Sequence, residues 1–256
     1  MSGTSDLDAC ARIVERGDPD RFAAVMAAPV AARQALWPVY AFNVEVSRAP
    51  WVTKEPLIAR MRLQWWSDVL DEIAAGGPVR RHEVATPLAD ALPRWGADLL
   101  RPVVEARHWD VEERGFVDEA ALWSHLDATA GALLRGAASA LGAEDGEGLR
   151  LAGRAQGLAL WLQAVPALEA AGKQPLPDGR PEAVARLTRE GLAALNGARR
   201  AGVPQAAAPA MIALAGTRPV LRRAAREPGR VAEGVLEGGP AALAARRAWV
   251  ALTGRW

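Results

Sequence analysis

The chain has 256 residues, half of them hydrophobic, so it is long enough to bury the core of a full domain. Lys and Arg total 31 against 30 Asp and Glu, and the lack of any block of like charge argues against a nucleic-acid partner. The single cysteine, Cys10, excludes an internal disulfide framework and is predicted to be a buried thiol in a reducing compartment.

The predicted elements are all helical. Alanine is abundant, and no stretch alternates apolar and polar residues as a strand does. In chain order, the predicted helices cover residues 5–16, 21–28, 30–48, 56–75, 87–91, 97–107, 118–141, 146–165, 181–196, 204–226 and 240–252. No internal repeat or long linker is visible, so residues 1–256 are predicted to form one all-α domain.

The predicted helix 56–75 carries the clearest apolar stripe. Pro56 suits its first turn, and Gly76-Gly77-Pro78 ends it. The stripe consists of apolar residues at helical spacing: Ile58, Met61, Trp65, Val69 and Ile73, widened by Trp66 and Leu70. This pattern predicts one broad buried face with Trp65 at its centre.

The sequence also bears on location. It contains no run of about 18 uncharged apolar residues, so we expect no membrane span. Its polar, acidic start, residues 1–8, is unlike a secretory signal or a transit peptide. We therefore expect a cytoplasmic protein with at most peripheral contact at the inner face of the membrane.

Short motifs in a fixed order connect the chain with a known family. They are Tyr40-Ala41-Phe42, Trp65-Trp66, Ala130-Gly131, residues 153–158 and Val165-Pro166. No single motif is specific, but their order and spacing resemble the squalene/phytoene synthase family over most of the chain. The resemblance implies a single-domain, isoprenoid-synthase-type helical bundle around a central cavity.

The chain departs from the catalytic pattern of that family. In active members, two D-x-x-x-D motifs on helices hold Mg²⁺, a hard cation that prefers oxygen ligands, against a substrate diphosphate. The matching positions here are Ser47, Arg48 and Trp51 for the first motif, and Gln163, Ala164 and Leu168 for the second. The departure predicts no metal site and no catalytic residue.

Other titratable residues do not replace the missing motifs. Asp68 and Glu72 are four residues apart, but they fall opposite the apolar stripe and are expected in solvent. The same expectation holds for a polar loop that contains Asp110, Glu112 and Glu113. The three histidines lack ligand spacing: His82, His108 and His125.

One branch of the family resembles the chain more than the others do. The segment 41–45, Ala-Phe-Asn-Val-Glu, together with Gln64 and Gln156, is similar to the respiratory complex I assembly factor that has a phytoene-synthase-like domain. This resemblance implies a non-catalytic assembly or accessory protein, whose partner is a complex I subunit or assembly intermediate. The candidate cavity residues are Tyr40, Asn43, Glu45, Ser47, Arg48, Gln64, Gln156 and Gln163.

Two alternatives stay open at the level of sequence. The first is a Mg²⁺-dependent transferase that condenses prenyl diphosphates, which would need metal-binding carboxylates outside the usual motifs. The second is a carrier that holds an isoprenoid or lipid ligand in the same cavity. We expect no cofactor unless the transferase alternative holds, in which case Mg²⁺ is required.

Overall fold

The computed structural model of the chain describes residues 2–53, 55–111, 115–236 and 238–256, and all regular structure within these ranges is helical. The predicted all-α class is therefore confirmed. In chain order the helices are α1 (Ser2–Gly17), α2 (Pro19–Ala27), α3 (Val30–Arg48), α4 (Pro56–Ala75), α5 (Ala85–Ala91), α6 (Arg94–Ala106), α7 (His108–Val111), α8 (Glu119–Leu126), α9 (Ala132–Ala140), α10 (Glu147–Ala170), α11 (Pro181–Ala201), α12 (Ala208–Met211), α13 (Thr217–Arg226), α14 (Arg230–Glu233) and α15 (Pro240–Thr253).

Two predicted helices are interrupted in the structure. The segment predicted as one helix over 118–141 is divided into α8 and α9 by a π-helical turn, Asp127–Gly131. The segment 204–226 is divided into α12, α13 and two 3₁₀ turns. Pro209 and Pro219 lie in this second segment, and each lacks the N–H that a continuous helix would use. Apolar spacing alone cannot reveal such breaks.

Helices α3 and α10 form the centre of the bundle. Helix α3 packs against α1, α5 and α9, while α10 packs against α11, α13 and the π-helical turn. Glycine makes the last contact possible, because a Cβ at Gly153 would lie 2.6 Å from the Cα of Gly131. None of the helices in the described ranges has the length and apolar character needed to cross a bilayer.

Cys10 lies in α1, in the buried core, as predicted. Its Sγ donates to the carbonyl oxygen of Glu83 at 3.4 Å. Burial, reinforced by the nearby Glu83 and Asp6 carboxylates, raises the pKa of the Cys10 thiol to about 12. The thiol is therefore protonated at neutral pH and packs as a small apolar side chain.

The buried face of α4 differs from the predicted one. The residues that it buries are Ala59, Leu63, Trp66, Val69, Leu70 and Ile73. Ile58 and Met61 are exposed, and Trp65 is only half-buried, so the prediction of Trp65 as the centre of the stripe is wrong. Helix α4 has apolar residues on two faces, and it buries the one that contains Trp66, whose ring packs against Phe42 of α3.

We expect Trp66→Ala to lower the free energy of unfolding by about 3–5 kcal/mol, the range for a buried large aromatic. Trp66 is 5% exposed, and its ring meets Phe42 edge to face at a centroid distance of 5.3 Å. Trp65→Ala, the matched control on the same helix, should cost clearly less because its side chain is partly in water. Denaturant unfolding of both variants measures the difference, and equal costs would contradict the observed helix orientation.

Candidate functional site

A central cavity of about 620 Å³ opens between the helices of the bundle. Its walls come from the start of α2, the end of α3, α7, the π-helical turn with its neighbouring helices, and α10. The lining residues are Asp18, Arg21, Asn43, Ser47, Trp51, Arg107, Asp110, His125, Leu126, Thr129, Ala130, Leu133, Gly157, Leu160, Trp161, Ala164, Ala167, Leu168 and Ala171. Most of this wall is apolar, and its charged groups lie on α2 and around α7.

Four of the positions that match the aspartate motifs face this one cavity. Ser47 lies at the end of α3 and Trp51 in the turn that follows it, while Ala164 and Leu168 lie on α10. The hydroxyl of Ser47 donates to the carbonyl oxygen of Val44 at 3.1 Å. The two helices therefore bring these four positions to one cavity, but the four side chains carry no ionised oxygen that could bind a metal.

Two carboxylates of the described residues line the cavity, and each already has a cationic partner. Asp18 caps α2 by accepting from the backbone N–H of Arg21 at 3.0 Å, and it also pairs with the Arg21 guanidinium. Asp110 lies 3.3 Å from the guanidinium of Arg107. Those guanidiniums would repel Mg²⁺, and no group of three potential metal ligands occurs within the described part of the chain. The described residues do not fit a magnesium site.

The sequence prediction placed Asp110 in solvent, and this prediction is wrong. It is buried in α7, and burial raises the pKa of its carboxyl, although Arg107 and Lys173 act in the opposite direction. The Lys173 ammonium donates to the Asp110 carbonyl oxygen at 3.0 Å, which holds α7 against the loop after α10. Glu112 and Glu113, predicted in the same polar loop, lie outside the described residues.

Asp68 and Glu72 lie on α4 and are not part of the cavity wall. The Arg80 Nε donates to Glu72 at 2.9 Å, and the Arg80 guanidinium lies 3.7 Å from Asp68. Both carboxylates are partly exposed. The pair therefore anchors the segment after α4 to its surface, and it has no metal-binding geometry of its own.

The part of the cavity near α7 combines aromatic rings with unsatisfied polar atoms. Trp109 stacks on Phe116 with ring centroids 4.8 Å apart, and His125 meets Trp161 at 5.0 Å. Three buried atoms here have no hydrogen-bond partner among the described residues: Arg107 Nε, Trp109 Nε1 and His125 Nε2. Arg107 and His125 line the cavity and Trp109 packs beside His125, and we call this group the polar end of the cavity. Buried polar atoms normally have partners, and those of the two lining residues, Arg107 and His125, are the ones next to the space that a ligand would fill.

His125 is neutral in this environment. Burial, together with the positive charge of Arg107, lowers its pKa from the ordinary value of 6.5 to about 3. One ring nitrogen of a neutral imidazole donates a hydrogen bond and the other accepts one. The polar end therefore offers both cationic and neutral hydrogen-bonding groups to a bound molecule.

Comparison with known proteins identifies the family. The sequence model described as squalene/phytoene synthase matches residues 14–248. The chain belongs to the squalene/phytoene synthase family. This finding confirms the resemblance in the motifs, and the matched range includes both α3 and α10.

Curated proteins similar to this chain carry the name of a complex I assembly factor. NADH dehydrogenase (ubiquinone) complex I, assembly factor 6 of Bos taurus is 24% identical over 180 residues, covering 64% of this chain and 51% of the relative. The human protein of that name is 25% identical over 162 residues, covering 61% and 48%. The Drosophila melanogaster homolog is 30% identical over 177 residues, covering 66% and 52%. The chain spans about half the length of these curated relatives.

Solved structures of squalene-type synthases share the fold. A dehydrosqualene synthase in complex with ligand superposes with a TM-score of 0.74 at 13% identity, covering 97% of this chain and 96% of the other. A squalene synthase from Alicyclobacillus acidocaldarius gives a TM-score of 0.72 at 18% identity, covering 88% and 95%. At such identities the similarity shows the fold alone, and it confirms the predicted isoprenoid-synthase-type bundle.

The structure distributes the predicted cavity residues over several places. Asn43 and Ser47 line the central cavity. Gln156 and Gln163 line a separate, smaller pocket of about 140 Å³ between α2, α10, α13 and α15, and Gln156 donates to the carbonyl oxygen of Ala213 at 3.0 Å. Asp18, Arg21 and Leu160 line both pockets.

The remaining predicted residues are not among those that line either pocket. Tyr40 is buried beside Arg21, whose guanidinium lies 5.6 Å from the ring centroid. Glu45 is half-buried. Arg48 and Gln64 are exposed, and Gln64 donates to Asp68 at 2.8 Å, so the structure places these two outside both pockets. On α3 the adjacent residues Ser47 and Arg48 face the cavity and the solvent respectively, and the motifs alone do not show which way a side chain faces.

Sequence reasoning missed the polar end of the cavity. Arg107, Trp109 and His125 come from two separate segments, and none forms a motif with its neighbours. The available signal was composition, because Trp109, Phe116 and Trp161 account for much of the aromatic content of this part of the chain. Only the packing of α7 and α8 against α10 brings these rings around His125.

The depressed pKa of His125 predicts a pH dependence of stability. The native state binds fewer protons than the unfolded state between pH 6.5 and about 3, so stability should fall as the pH drops through this window. His125→Gln should remove up to ~1.4 kcal/mol per pH unit of that slope. Asp110 changes stability with pH in the opposite direction, because its pKa is raised. Since the parent chain and His125→Gln both contain Asp110, its contribution largely cancels when their slopes are compared.

Denaturant unfolding at several pH values measures this slope, and His108→Gln is the matched control because His108 is exposed. The slope of the control should match that of the parent chain. Equal slopes for the parent and His125→Gln would contradict the buried, neutral state of His125.

Proposed function

We propose that the chain is a non-catalytic member of its family that acts in the assembly of respiratory complex I. The observation that carries the proposal is the loss of carboxylates at Ser47, Trp51, Ala164 and Leu168, four positions that face one retained cavity. The proposed process, assembly of complex I, is taken from the curated relatives, which are named complex I assembly factor 6. Because the chain spans about half of their length, their partners are carried over only as part of this proposal.

Electrostatics supports the loss of catalysis. Transfer of a prenyl group requires Mg²⁺ to neutralise the leaving diphosphate, and Mg²⁺ needs several oxygen ligands in near-octahedral geometry. In the cavity, Asp18 and Asp110 are paired with Arg21 and Arg107. Taking either carboxylate as a metal ligand would leave a guanidinium beside the metal, which is unfavourable at these distances.

The first test is release of inorganic diphosphate from farnesyl or geranylgeranyl diphosphate in the presence of Mg²⁺. We expect no metal-dependent turnover above background. An active dehydrosqualene synthase assayed in parallel is the positive control, which shows that diphosphate release is detected under the same conditions. Turnover on the order of 1 s⁻¹, an ordinary enzymatic rate, would reject the non-catalytic proposal.

The second test is deletion of the gene in its own host. We expect a selective fall in assembled complex I on native gels and in rotenone-sensitive NADH oxidation, restored by the unaltered gene. The other respiratory complexes on the same gel serve as the internal control. Normal complex I with altered squalene, carotenoid or hopanoid content would instead favour the transferase alternative.

A second candidate function is that of an isoprenoid or lipid carrier. The specific observation in its favour is the apolar cavity of about 620 Å³ with unpartnered polar atoms at one end. A ligand with an apolar chain and a hydrogen-bonding head group matches this distribution. Deletion that leaves both complex I and isoprenoid content unchanged would favour this function over assembly.

A further inference from the structure

The turn after α3 and the first turns of α4 present large apolar side chains to solvent. The exposed fractions are 49% for Trp51, 47% for Val52, 70% for Leu57, 44% for Ile58 and 64% for Met61. We call these five residues the apolar tip. Exposed apolar residues scattered singly are ordinary, but a group of them in one place marks an interaction site.

Arginines flank the apolar tip on both sides. At about 100° per residue, Leu57, Ile58 and Met61 share one face of α4, opposite the buried face that contains Trp66. Arg60 and Arg62 lie at the two edges of this exposed apolar face, and both are exposed.

A third exposed arginine, Arg48, ends α3 next to Trp51. None of Arg48, Arg60 and Arg62 takes part in an ion pair within the ranges that the structure describes. The one described acidic residue between Trp51 and Met61 is the exposed Glu55. Among the described residues, the tip therefore carries three arginines without an ion-pair partner against one glutamate.

The apolar tip is continuous with the central cavity. Trp51 belongs both to the tip and to the cavity wall, next to Ser47 and across from Leu168. Whatever covers the tip therefore also lies at the mouth of an apolar cavity. This continuity favours a lipid surface as the occupant.

We propose that the apolar tip inserts into the surface of an anionic lipid bilayer, with Arg48, Arg60 and Arg62 on the lipid phosphates. An apolar helix face with basic residues at its edges is the arrangement of interfacial helices. Arginine can keep its guanidinium in the head-group layer while its aliphatic stem lies along apolar surface, and guanidinium pairs well with phosphate. The inference rests on the exposed surface and is independent of a role in complex I assembly.

Co-sedimentation of the full chain with protein-free vesicles tests this proposal. We expect binding to vesicles of phosphatidylcholine mixed with phosphatidylglycerol, and much weaker binding to phosphatidylcholine alone. The double variant Arg60→Gln/Arg62→Gln should bind the anionic vesicles about thirty-fold more weakly, given the usual contribution of a basic residue at an anionic surface. The double variant Leu57→Gln/Met61→Gln should lose at least about tenfold.

Matched controls separate the tip from general effects. Arg222→Gln/Arg226→Gln removes two exposed arginines from α13, and Leu252→Gln replaces an exposed leucine of α15; both should bind like the parent. All substituted residues are exposed, so thermal unfolding should be unchanged. No binding to anionic vesicles, or equal losses in tip and control variants, would overturn the inference. Binding to host membranes but not to protein-free vesicles would assign the tip to a protein partner and also overturn it.

Discussion

The bundle depends on a close backbone contact between α10 and the π-helical turn. A Cβ at Gly153 would come within 2.6 Å of the Gly131 Cα, and one at Gly157 within 3.2 Å of the Ala130 Cβ. Arg154 and Asp127 pair across the same contact. Because α10 is held this close, its far half is aimed at the end of α3, and Ala164 and Leu168 face Ser47 and Trp51. The geometry of the cavity is thus maintained by small residues that lie outside the metal motifs.

The charge distribution of the cavity is stable without a divalent cation. Asp18 and Asp110 are each neutralised by an arginine, and the four motif positions that face the cavity are filled by small, apolar or neutral side chains. A cluster of unpaired carboxylates would repel itself and would need a metal to be stable. The described carboxylates of this cavity form no such cluster, because each has its own arginine partner.

The sequence was sufficient for the class of fold, the family and the position of the missing motifs. The short motifs keep their order and spacing along the chain even where the catalytic aspartates are replaced. The sequence was insufficient where tertiary packing decides which residues are buried. Trp65 and Trp66 are adjacent and equally apolar, and only tertiary packing, which sets Trp66 against Phe42 of α3, decides which is buried. Asp110 looks like a solvent residue until Arg107 and Lys173 are brought to it, and the π-helical turn has no signature in the apolar spacing.

The environment of Cys10 has a consequence for the behaviour of the chain under oxidative stress. Burial raises the pKa of the Cys10 thiol to about 12, so almost none of it is thiolate at neutral pH. Peroxide and disulfide reagents attack the thiolate, and the Sγ is also enclosed by the core. Since this is the only cysteine, the chain has no sulfhydryl switch and cannot be cross-linked to itself or to a partner by oxidation while it stays folded.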